Sequence, residues 1–180
     1  MNLDLLPLGW VHFLASLAAI VVGAAVLVRP KGTAVHKVRG RIYAVAIVVT
    51  SLTALGIYRV GGFFFAHWFG VAALIVTAVG VTAAHFRIPR FGWLHLHLTC
   101  MVASFYILIG GGVNEIFLRV NLFRRLVPNL LNSPLVGTIH FLVMLLFAAL
   151  IGYFNVVALL RARAARPTSF SGEVARHSHS

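Results

Sequence analysis

The stretch at residues 8–28, LGWVHFLASLAAIVVGAAVLV, decides the fold. It contains no Asp, Glu, Lys or Arg. A helix rises about 1.5 Å per residue, so this run matches the roughly 30 Å hydrocarbon core of a bilayer. Four more apolar runs follow, at 42–58, 63–85, 91–113 and 135–160. Together they predict an all-α chain: a polytopic bundle of five transmembrane helices. The whole sequence agrees, being 61% hydrophobic and only 10% charged, with a mean hydropathy of +0.97. A soluble domain of 180 residues could not keep so much apolar surface from water.

The formal charge of +12 looks at first like a nucleic-acid footprint. Its distribution excludes nucleic acid as a partner, because the basic residues lie in short loops and at the ends of apolar runs. Arg29, Lys31, Lys37, Arg39 and Arg41 follow the first run, Arg87 and Arg90 the third, and Arg161, Arg163, Arg166 and Arg176 the fifth. Five spans put these eleven on one side, against Arg59, Arg119, Arg124 and Arg125 on the other. The positive-inside rule then orients the chain N-outside and C-inside, in the inner (cytoplasmic) membrane, with anionic headgroups facing the basic loops. No basic n-region precedes the first run, which reads as a retained helix rather than a signal peptide. The lone Cys100 excludes an intrachain disulfide.

Residues 115–131 mix Ile116, Phe117, Val120 and Phe123 with Arg119, Arg124 and Arg125, and read as an amphipathic segment on the outer surface. The membrane bundle is expected over 1–166 and a disordered Ser-containing tail over 167–180. Ala15, Ala19 and Gly23 recur every four residues on the first span, and Ala148 and Gly152 on the fifth; small residues at this spacing let helices approach closely. Such faces would also serve a homodimer or a larger membrane complex. Gly110, Gly111 and Gly112 are expected to loosen the end of the fourth span.

Nine histidines stand out in so apolar a chain. Imidazole within a membrane is costly unless paired or liganded, and it is the commonest metal ligand. His12, His67 and His140 all fall about one turn in from the outer ends of their spans and form a candidate outer set for metal or cofactor. His36, His85, His95 and His97 gather at the inner side. His95 and His97 differ by about 200° in direction, so only one of them can face a given centre. His97 shares its face with Met101 and Ser104. The candidate inner set is therefore His97 with His36 or His85. His67 and His85 lie about 27 Å apart along one helix face.

The most distinctive polar stretch is Lys31-Gly32-Thr33, His36, Gly40-Arg41 and Tyr43, preceded by His12 and Gly23. A second is His97, Met101, Ser104, Tyr106, Val113 and Asn114. In these two stretches, over about residues 10–115, the chain resembles a bacterial membrane-protein family known only as domain of unknown function twenty-three-oh-six. Position 37 departs from that pattern, with Lys in place of Arg. The resemblance implies a helical membrane protein and carries no activity with it.

The residues leave three readings open. One is a redox protein holding b-type haem, or another redox metal such as copper, on these histidines for electron transfer, with zinc as the alternative ion of a non-redox site. The second is a zinc-dependent membrane hydrolase, with His12, His67 and His140 as a three-His site that activates water. The third is a non-catalytic transport, sensor or assembly subunit.

Overall fold

The computed structural model describes residues 7–58, 65–120, 123, 125 and 133–164, with 65, 66, 118 and 119 described by their backbone alone. Five helices form: α1 (Pro7–Val28), α2 (Ala34–Leu55), α3 (Phe65–Phe86), α4 (Trp93–Arg119) and α5 (Pro134–Ala164). All five are long and apolar enough to cross a membrane, and the chain is a multi-pass membrane protein. Helices α1 to α4 pack as a closed ring, each against the next and α4 back against α1, while α5 lies outside the ring on α4. The loop between α1 and α2, the loop between α3 and α4, and the C-terminal end of α5 share one end of the bundle, here called the basic end.

Helix α2 begins eight residues before the expected start at 42, so His36 belongs to a helix rather than to a loop. The cause is local. Gly32 has φ +81°, a left-handed turn that suits glycine. Thr33 then caps the new helix by accepting the His36 backbone N–H on its side-chain oxygen at 3.1 Å. Helix α4 also outruns its expected end, continuing through Gly110–Gly112 to Arg119. The start of the segment read as a surface amphipathic stretch is thus the last part of α4, where Phe117 is buried against Val136 of α5. Most of 121–132 and the tail 167–180 lie outside the described residues.

In hydrocarbon, helices gain little from the hydrophobic effect against one another and cohere through close packing and hydrogen bonds. Ala19 and Gly23 of α1 are buried as their spacing predicts. Gly23 lets the Tyr43 and Phe105 rings meet above the α1 backbone, because a Cβ there would stand 2.7–2.8 Å from both. Ile47 and Phe147 complete this core. Gly70 similarly brings α3 against Ser51 of α2, and nearer the basic end the same two helices leave an apolar groove of about 510 Å³ lined by Val45, Val48, Ile75 and Ala78. Ala148 and Gly152 do not repeat the role of the α1 stripe. Both are exposed, and a Cβ on Gly152 would meet nothing within 4 Å, because α5 turns its other face to α4.

Gly23→Ala should destabilise the bundle by about 1–3 kcal/mol through overpacking. Gly152→Ala, which meets nothing, should instead stabilise α5 by up to about 1 kcal/mol. Thermal unfolding of both variants in mild detergent checks the pair.

Candidate metal centre

The histidines expected to form an outer set go to separate partners. His12 donates its Nδ1–H to the Thr50 carbonyl at 2.9 Å and lies 3.1 Å from the Thr53 hydroxyl, tying α1 to α2. His67 is 1% exposed and stacks on Tyr58, with ring centres 5.0 Å apart. His140 donates its Nδ1–H to the Val136 carbonyl of its own helix at 2.9 Å. Because α5 packs outside the ring, His140 meets Gly110 of α4 rather than the ring interior. Among the described residues, no three His, Cys, Asp or Glu side chains gather into a metal-holding group.

The inner set is different. His36, in the first turn of α2, and His97, in the first two turns of α4, stand with ring centres 6.5 Å apart and planes 85° to each other. The two helices lie diagonally across the ring, so these rings meet in its interior. His97 Nδ1 lies 2.8 Å from the Gly80 carbonyl of α3. A carbonyl can only accept, so Nδ1 carries the proton, and Nε2 of the neutral ring keeps its lone pair for a ligand. His36 Nδ1 is buried without a hydrogen-bond partner. The other expected inner candidate, His85, is exposed at the end of α3 and packs edge-on against its neighbour Phe86.

A cavity of about 60 Å³ borders both rings, also lined by Lys31, Tyr43, Met101 and Phe154 of α5. Water takes about 30 Å³ in the liquid, so the space suits a small hydrated cluster or a bare ion. Two turns deeper than the imidazoles, the interior is filled. The Tyr43 hydroxyl lies 2.9 Å from Ser104 Oγ, whose own hydrogen goes to the Met101 carbonyl at 2.9 Å, so the phenol donates to the serine. The Phe105 ring packs against Tyr43 below them.

Lys31 borders the cavity. Its ammonium donates to the Val26, Leu27 and Arg29 carbonyls, capping the C-terminal end of α1, and stands 4.7 Å from the centre of the Phe154 ring on α5. Burial pushes its pKa below the ordinary lysine value. His95 faces away, as the 200° separation from His97 requires, and donates to Asn155 Oδ1 of α5 at 2.6 Å; the Asn155 amide in turn donates to Thr99 at 3.1 Å.

No protein-family model, curated protein or solved structure matches the chain.

Sequence reasoning pairs His97 with His36 or His85 and passes over three residues that tie this end of the bundle together. Lys31 reads as a loop charge and as part of the Lys31-Gly32-Thr33 motif, without its place at the cavity wall, and Gly80 gives no signal because its contribution is a backbone carbonyl. Asn155 was legible, being an amide deep within the fifth apolar run, where an unpartnered polar group is costly. Asn155→Ala removes the acceptor of His95 and should loosen α5 from the ring by about 1 kcal/mol. Its melting temperature in detergent should fall, while any ligand held at His36 and His97 stays bound.

Proposed function

We propose that this chain is a multi-pass protein of the cytoplasmic membrane that binds a redox-active transition metal between His36 and His97 and relays electrons through it. The observation that carries the reading is the meeting of these two imidazoles across the ring, one held in a fixed tautomer by Gly80 and the other with a buried nitrogen lacking a partner. Two imidazoles on opposite sides of one ion, bonded at about 2.0 Å, stand with ring centres roughly 6 Å apart. The observed 6.5 Å is close to that separation.

Apolar walls around such a site exclude water and tune its potential, which suits an electron carrier. A single ion fits the cavity of about 60 Å³ with small ring movements. A b-type haem would need the rings to part and Tyr43, Phe105 and Met101 to leave the interior. The positive-inside bias of the basic loops and of the Arg161 and Arg163 turn of α5 supports a cytoplasmic setting for this site, among anionic headgroups.

Metal analysis and a reduced-minus-oxidised spectrum of the purified protein test the proposal. About one metal ion per chain is expected, lost in His97→Ala and retained in His85→Ala. A Soret band would replace the bare ion by haem. No metal uptake, or uptake unchanged in His97→Ala, would overturn the reading in favour of a transport or assembly subunit.

A further inference from the structure

We infer that Met101 supplies a third ligand to this centre through its thioether sulfur, and that the site thereby selects Cu(I). The inference rests on the proposal that His36 and His97 bind metal, and adds the ligand set and the ion.

Met101 follows His97 by four residues on α4, so the two side chains share a face. Both line the same cavity as His36. Gly80 of α3 touches both side chains. Its carbonyl fixes the His97 ring at 2.8 Å, and its missing side chain leaves room for Cys100 and Met101, since a Cβ there would stand 2.9 Å from the Cys100 Cβ and 3.0 Å from the Met101 sulfur. The group is two imidazoles and a thioether, a combination outside the His, Cys, Asp and Glu clusters that usually mark a metal site.

Ligand chemistry and charge lead to the same ion. A thioether is a soft donor that favours Cu(I) over Zn(II), and imidazole accepts copper readily. All three donors are neutral, so the ion keeps its full charge in an apolar setting. The cost of burying a charge grows with its square, which penalises a divalent ion fourfold relative to a monovalent one. Among the described residues the sole acid is Glu115, eighteen residues further along α4 and therefore about 27 Å away. Lys31 meanwhile brings a positive charge to the cavity wall, which repels a divalent ion twice as strongly as Cu(I). The unpartnered nitrogen of His36 has an explanation if an ion takes its lone pair.

The test is anaerobic titration of the metal-stripped, detergent-solubilised full chain with Cu(I) against a chromogenic Cu(I) chelator, and separately with Zn(II). X-ray absorption at the copper edge of the loaded wild-type protein is measured alongside. The wild type should take up one Cu(I) per chain and show a copper–sulfur distance of about 2.3 Å. Met101→Leu, which conserves volume, should weaken Cu(I) binding by at least about tenfold and leave Zn(II) binding unchanged. Met144→Leu, at an exposed position on α5, should change neither. Cu(I) bound through nitrogen alone in the wild type, or bound equally well by Met101→Leu, would overturn the inference while leaving a His36–His97 metal site standing, provided His97→Ala abolishes binding. Failure of the wild type to bind either ion would overturn both. The absorption measurement needs no variant, so it decides the question even if Met101→Leu does not fold.

Discussion

A polar side chain in hydrocarbon must find its partner within the protein, because no water is there to supply one. In this bundle that constraint writes the tertiary structure. His12 reaches the Thr50 carbonyl and ties α1 to α2; His97 reaches the Gly80 carbonyl and ties α4 to α3. Tyr43 reaches Ser104 across the ring, and His95 reaches Asn155 to dock α5. Each bond joins helices whose apolar surfaces give little reason to prefer one neighbour over another, so the polar ties supply the specificity that packing alone lacks.

Small residues decide where those ties can form. Gly23 admits the Tyr43 and Phe105 rings against α1, and Gly80 admits Met101 while lending its carbonyl to His97. The absent side chains are therefore part of the site. They set the depth at which α2 and α4 face each other, and so which pair of imidazoles meets at the basic end.

The ring and the fifth helix have different standing. Helices α1 to α4 supply most of the buried core, whereas α5 shows most of its surface outward, adds Phe147 to that core, and is held by it, by the Asn155 link and by the stacking of Lys31 on Phe154. Lys31 thus joins three parts at once: the capped end of α1, the outlying helix and the wall of the cavity beside His36. A change in how α5 sits would reach the cavity through Lys31 and through Phe154, which lines it directly.

The sequence by itself determined that five helices form and that the chain belongs in a membrane, because runs of apolar residues at bilayer length have no other stable setting. It also determined that His95 and His97 diverge, since helix geometry leaves no alternative. Helix α2 starts ahead of its apolar run because the Thr33 cap outweighs the polarity of the residues after it, and Lys and Arg are sound helix formers. Only the tertiary structure decided which histidines meet. Equal depth suggested His12, His67 and His140, but depth says nothing of direction around a helix axis or of which helices are neighbours. The ring of α1 to α4 turned His36 and His97 toward one cavity and left His140 outside it, a choice made by packing contacts far apart along the chain.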